Sequence, residues 1–184
     1  MVLSLIGYRG SGKSTVARLL AAAWGWNWQD ADEAVEALAG TSIACIFAEQ
    51  GEEAFREMEA RVLRDLVQQE RLVLAAGGGA VLRPDNRALL RAAGKVAWLR
   101  ADAATLLARL RADRATAARR PALTRLSQED EVAALLAQRE PLYRECAHVT
   151  VETAGKSPVQ VAAELAALLA PWPAGSDAAT AGTP

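Results

Sequence analysis

The residues with the clearest chemistry are Gly7-Tyr8-Arg9-Gly10-Ser11-Gly12-Lys13-Ser14-Thr15, which satisfy the pattern G-x-x-x-x-G-K-[ST]. Glycines that lack a Cβ let successive backbone N–H groups curl around phosphate oxygens. In such a loop a lysine reaches the outer phosphates of a nucleoside triphosphate, and a serine hydroxyl suits a magnesium ion. Gly10, Ser11, Gly12, Lys13, Ser14 and Thr15 are therefore the candidate nucleotide-binding residues. The pattern is short, and its surroundings give it force. Residues 2–6 are apolar and read as a buried strand, and residues 16–24 are rich in alanine and leucine without a helix breaker. A helix that starts there points its positive end at the same anion.

Two more chemically loaded stretches follow predicted strands. Asp30-Ala31-Asp32 comes after the strand candidate 26–29, and Gly77-Gly78-Gly79 follows the apolar run 72–76. Helical segments are predicted at 33–39, 43–49, 52–70, from 83 to the stop at Gly94, about 102–114, 127–144 (in spite of Pro141) and 158–169. Further strands are predicted at 96–99 and 148–151. Strands that alternate with helices imply a central parallel sheet covered on both faces, an α/β three-layer arrangement. Ligands in such sheets bind outside the carboxyl ends of the strands. The phosphate-binding loop, the Asp-Ala-Asp cluster and the three glycines should therefore open onto one edge and one site.

Totals narrow the function classes. A chain of 184 residues, 52% of them hydrophobic, can cover a sheet on both faces in one domain. The formal net charge of -1 argues against a nucleic-acid or membrane-surface binder. The tryptophans Trp24, Trp26, Trp28, Trp98 and Trp172 lack the basic groove that base stacking needs, so packing is their expected role. One histidine, His148, excludes His-based metal sites and Ser-His-Asp triads, and a structural role is expected for it. Cys45 and Cys146 match no metal or redox spacing and read as thiols of a reducing compartment. No apolar run reaches the length of a membrane span and no leader segment is evident, so a cytoplasmic location is expected. Residues 115–125 are arginine-rich, contain Pro121 and lack an apolar face. From residue 171 onward the composition is that of a disordered tail.

Taken together, these pieces resemble the shikimate kinase family from residue 2 to about 169. The resemblance is carried by residues 7–15, Asp30-Ala31-Asp32-Glu33, Ser42-Ile43-Ala44 with Ile46-Phe47, and Gly51-Glu52-Glu53-Ala54-Phe55-Arg56. Gly77-Gly78-Gly79-Ala80, Arg120-Pro121 and Arg139-Glu140-Pro141-Leu142-Tyr143-Arg144 complete it, in the family's order and spacing. It implies a P-loop NTPase-type sheet of about five strands, with a mobile lid near 112–126 and a substrate-binding helical segment near 31–62, in one kinase domain of residues 1–170. It also implies transfer of the γ-phosphoryl of ATP to the 3-hydroxyl of shikimate, with Mg2+ as cofactor, by a monomer.

The resemblance assigns roles residue by residue. Asp32 would bind the shikimate hydroxyls and act on the nucleophilic oxygen, and Lys13 and Arg120 would share the catalytic work. Asp30 with Ser14 would lie in the magnesium shell, although Asp30 also has capping-box spacing to Glu33. Arg56 and Arg139 would hold the shikimate carboxylate, where a guanidinium can form two parallel bonds. Gly77, Gly78 and Gly79 would line the same pocket. Arg120 would close over the phosphates from the lid, either Arg109 or Arg111 would stack on adenine, and Lys156 would bracket it with Pro158. One departure is Ala122, where the family has leucine after Arg-Pro. The competing readings are a gluconate-kinase-like enzyme on the same fold and a non-catalytic regulator on a kinase-like scaffold. Asp32, Arg56 and Arg139 argue against the first, and the retained phosphate-site residues against the second.

The tail supplies a first test. It holds almost no apolar surface apart from Trp172, so truncation after Pro171 should leave activity and melting temperature nearly unchanged. A large loss of thermal stability in the truncated chain would show that Trp172 packs onto the domain.

Overall fold

The computed structural model describes residues 1–112 and 127–170. The arginine-rich stretch 115–125, with Arg120, and the tail from 171 lie outside the described residues. Five parallel strands, β1 (Val2–Ile6), β2 (Asn27–Asp30), β3 (Leu72–Ala75), β4 (Gly94–Arg100) and β5 (Val149–Glu152), lie in the order β2-β3-β1-β4-β5. The chain reaches them through seven described helices. These are α1 (Lys13–Trp24), α2 (Ala31–Ala39), α3 (Ile43–Leu66), α4 (Pro84–Ala93), α5 (Ala103–Ala112), α6 (Gln128–Cys146) and α7 (Pro158–Leu169). No described helix is long and apolar enough to cross a membrane.

Strands β1 and β3 are buried along their whole length because both faces of the sheet are covered there, whereas the edge strands β2 and β5 are partly exposed. The strand residues divide with period two. Val2, Ile6, Leu72, Leu74, Val96 and Trp98 belong to a core shared with Val35 of α2, Ile46 and Leu63 of α3, Leu90 of α4 and Tyr143 of α6. Leu3, Leu5, Val73, Ala75, Ala97 and Leu99 face the other way, onto Val16 and Leu20 of α1 and Leu165 of α7. A smaller cluster of Tyr8, Leu106, Leu110 and Val132 joins the phosphate-binding loop to α5 and α6.

Boundaries differ from expectation for local reasons. The segments expected at 43–49 and 52–70 form one helix, interrupted at Gly51, whose φ of 82° and ψ of 175° are not helical. Gly51 turns the chain without ending the packing of α3, and Ser42 caps its start by accepting from Cys45 N. Pro141 does not end α6. The expected strand 148–151 begins one residue later, but His148 stays in register: its N–H donates to Val96 O, and its Nδ1 accepts from Val96 N. The four described tryptophans pack as expected, and Trp172 lies outside the described residues. Trp98 stacks on Tyr143 with ring centroids 5.7 Å apart, Trp24 meets Trp26 edge-on, and Arg18 lies over Trp28.

Register sets the site. Leu5 pairs with Ala75 and Ala75 with Asp30, so the carboxyl ends of β1, β3 and β2 lie side by side. The loop 7–12, the triple glycine and the start of α2 leave the sheet there together. Leu74 is fully buried beneath that edge, and Leu74→Ala should cost about 3 kcal/mol in urea unfolding. A loss under about 1 kcal/mol would mean that the α3 side of the core collapses into the gap.

Candidate active site

The phosphate-binding loop closes on itself through backbone and lysine together. Gly12 sits at the N-cap of α1 in a left-handed conformation, with φ 94°, which a residue with a Cβ seldom adopts. Lys13 Nζ donates to Gly7 O at 2.9 Å and Tyr8 O at 3.0 Å, which binds the side chain across the loop it follows. Ser14 Oγ donates to Asp30 Oδ2 at 2.5 Å, and Asp30 Oδ1 accepts from Asp32 N at 2.9 Å. Asp30 is thus the N-cap of α2 and the partner of Ser14 at once. The cap bond runs to Asp32 and not to Glu33, so the spacing that suggested a capping box marks a simpler cap.

The three glycines form the floor of a second cavity. A Cβ on Gly79 would fall 2.4 and 2.5 Å from the two terminal nitrogens of Arg56, so the guanidinium lies directly against the backbone. A Cβ on Gly77 would fall 2.6 Å from Glu59 Oε1 and 2.8 Å from Asp32 Oδ1. Only residues without a side chain let these charged groups approach. Gly78 O in turn accepts from Tyr143 Oη at 2.5 Å and from Arg139 Nη1 at 3.4 Å, both presented by α6.

Arg56 is held between two carboxylates of its own helix. Its Nε and Nη2 donate to Glu52 Oε1, and its Nη1 donates to Glu59 Oε2 at 2.9 Å. Glu52 is exposed and Glu59 is not. Burial pushes the Glu59 carboxyl above its ordinary value of 4.5, with the charge of Arg56 opposing the shift. Its second oxygen, Oε1, is buried without a hydrogen-bond partner. The Tyr8 hydroxyl, also buried without a partner, is raised by the same desolvation against the charges of Arg9 and Arg139.

The side chains expected at the site are therefore largely brought together. Arg56, Arg139, Asp32, Gly78 and Gly79 line the cavity over the glycine floor. Gly10, Gly12, Lys13, Ser14, Thr15, Asp30 and Asp32 line an adjoining cavity along the phosphate-binding loop. Asp32 belongs to both. Of the two arginines considered for the nucleotide, Arg109 lines the loop cavity and donates to Gly10 O, Thr153 Oγ1 and Thr153 O, whereas Arg111 is exposed and paired with Glu129. Lys156 is not brought in: it donates to Glu164 of α7 and lines neither cavity. Sequence reasoning missed Glu59 and the Arg9–Glu131 pair. Glu59, three residues after Arg56, carried a readable signal in its helical spacing. Glu131 lies 122 residues from Arg9 and carried none.

Comparison with known proteins bears on the family and the fold. The model of the family described as "Shikimate kinase" matches residues 9–170. A shikimate kinase of Nitratidesulfovibrio vulgaris is 47% identical over 167 residues, covering 90% of this chain and 94% of its own. A solved structure described as shikimate kinase from Acinetobacter baumannii in complex with shikimate superposes with a TM-score of 0.86 at 36% identity, covering 91% of this chain and 92% of that one. A gluconokinase from Sinorhizobium meliloti also superposes, with a TM-score of 0.56 over 92% of this chain and 91% of its own, but at 16% identity that likeness shows the fold alone.

Glu59 provides a test of the electrostatics. Its raised value means the protonated carboxyl is favoured in the fold. That contribution to stability is complete below pH 4.5 and is lost as pH rises through the folded-state value. Glu59→Gln mimics the protonated acid, and Arg56 keeps Glu52. In urea unfolding the variant should be at least as stable as wild type at about pH 7, with the difference vanishing by about pH 4. A wild type that is the more stable of the two at neutral pH would show that the Arg56 pair outweighs burial.

Proposed function

The chain belongs to the shikimate kinase family, and we infer from this that it is an ATP-dependent kinase transferring the γ-phosphoryl of ATP to the 3-hydroxyl of shikimate. The observation that carries the division of labour is that Asp32 lines both the cavity of the phosphate-binding loop and the cavity of Arg56 and Arg139. A small acid gripped by its carboxylate at the two arginines presents its far side to Asp32. There a hydroxyl can lose its proton to the aspartate. In that step the hydroxyl oxygen bonds to the γ-phosphorus, the bond to the bridging oxygen of ADP breaks, and ADP leaves with the electron pair.

Lys13 supplies counter-charge on the donor side, and Arg120 has the corresponding part in a lid near residues 112–126. Arg109 is the better placed of the two arginines for the adenine end, because it ties Gly10 to Thr153 beside the loop. The segment near 31–62, which carries Asp32 and Arg56, serves the acceptor. Mg2+ fits the donor set: a hydroxyl and a carboxylate, Ser14 and Asp30, meet beside the loop, and this ion takes few protein ligands and completes its shell with water and phosphate. When bound, it would neutralise charge on the β- and γ-phosphates. We expect a monomer, working in the cytoplasm where ATP is supplied.

The test is an ADP-release assay with shikimate, quinate and gluconate in parallel. Shikimate should be the preferred acceptor. Arg56→Ala should raise its KM by about one to two orders of magnitude, as the loss of a charge-assisted bond implies, and leave the KM for ATP nearly unchanged. Asp32→Asn should cut turnover severely while nucleotide still binds. A shikimate analogue without its carboxylate should barely distinguish wild type from Arg56→Ala. If it loses as much as shikimate does, Arg56 holds no carboxylate.

A further inference from the structure

We propose that Arg9 is a third substrate-contacting arginine, held by Glu131 across the boundary between the two cavities to meet the phosphoryl group as it arrives on the acceptor. The inference rests on the shikimate kinase reading of the site. Among the described residues only Arg9, Asp32 and Ile43 line both cavities. Lys13 and Arg109 line the loop cavity alone, and Arg56 and Arg139 the acceptor cavity alone. Arg9 is therefore the one described cation on the boundary.

That position has an electrostatic requirement. The transferred group is anionic and comes to rest beside Asp32, which repels the phosphorylated product once the proton it has taken is released. A cation on the same boundary offsets this repulsion without drawing on the arginines that grip the carboxylate. Arg9 is built to stay there. Its Nη2 donates to Glu131 Oε1 at 2.8 Å, and Glu131 is 2% exposed in the first turn of α6. The guanidinium lies 5.7 Å from the Tyr8 ring centroid, on which Arg139 also sits. Nε is buried without a partner, on a guanidinium that lines both cavities. One donor edge is thus anchored, and a donor remains for a ligand. A simple strut between loop and helix would not need to line either cavity.

Glu131 is a positioning residue in this arrangement. It touches no substrate atom but fixes where the guanidinium can lie. Substituting Arg9 alone removes a charged neighbour from a buried carboxylate and threatens the fold, so the neutral pair Arg9→Gln with Glu131→Gln is needed beside the single variants.

The measurement is the dissociation constant of shikimate and of shikimate 3-phosphate, by calorimetry on the full chain, together with steady-state kinetics. Arg9→Gln and the double variant should weaken the phosphorylated ligand by about tenfold to thirtyfold, as one lost charge-assisted bond implies, and shikimate itself by less than about threefold. Turnover should fall by a similar factor with little change in the KM for shikimate. Glu131→Gln should reproduce the selective loss at smaller size, and Arg9→Lys should recover part of it by restoring the charge. If the ratio of the two dissociation constants is the same in wild type and both Arg9 variants, Arg9 is only a strut and the proposal is overturned. A wild-type chain that neither phosphorylates shikimate nor binds shikimate 3-phosphate would instead overturn the reading on which it rests.

Discussion

Three consecutive residues without side chains allow the acceptor pocket to exist. Where β3 leaves the sheet, the backbone of Gly77-Gly78-Gly79 is approached from every side by groups that a Cβ would exclude. Asp32 and Glu59 come against Gly77, and the Arg56 guanidinium against Gly79. Arg139 and Tyr143 bond to the carbonyl of Gly78, and a Cβ on that residue would fall 3.3 Å from the backbone N of Arg9. Helices α2, α3 and α6 and the phosphate-binding loop are thus located against one strip of main chain. Alanine at Gly79 would displace the guanidinium and with it the geometry of the pocket, although it adds a single carbon.

Charge is the second constraint, and it is handled by pairing. The acceptor cavity gathers Arg9, Arg56 and Arg139 with Asp32 and Glu59, and Glu131 lies behind Arg9. Buried ions are tolerated when paired and hydrogen-bonded, because desolvation otherwise exceeds their attraction. Here the pairing is incomplete by design of the site. Glu59 Oε1, Arg139 Nε, Arg9 Nε and the Tyr8 hydroxyl are all buried without partners around the same space. Such groups cluster where a ligand or a catalytic step gives them work, and they explain why several titrations near the cavity shift through desolvation.

The two halves of the reaction are joined through short covalent paths. Asp30 caps α2 and bonds to Ser14, while Asp32, two residues on, faces both cavities. The carboxylate bonded to Ser14 and the carboxylate shared by the two cavities are therefore set by one helix start at the end of β2. The phosphate-binding loop and α6 are joined similarly, since Arg9 of the loop bonds to Glu131 of the helix that carries Arg139. Precision of this kind comes from regular elements and not from mobile loops.

The sequence by itself determined the alternation of strands and helices, the phosphate-binding loop, and the strand ends that carry Asp30, Asp32 and the glycines. These were legible because they depend on local spacing: a glycine pattern, period-two and helical apolar runs, and motifs of a few residues each. Tertiary structure alone decided which of two neighbouring arginines lies against the phosphate-binding loop. Arg109 and Arg111 stand two apart on one helix, and only the placement of α5 against Gly10 and Thr153 separates them. It also turned Lys156 onto Glu164, kept α3 continuous across Gly51, and brought Glu131 to Arg9. Contacts between residues far apart in the chain depend on how faces pack, and no spacing in the sequence encodes that.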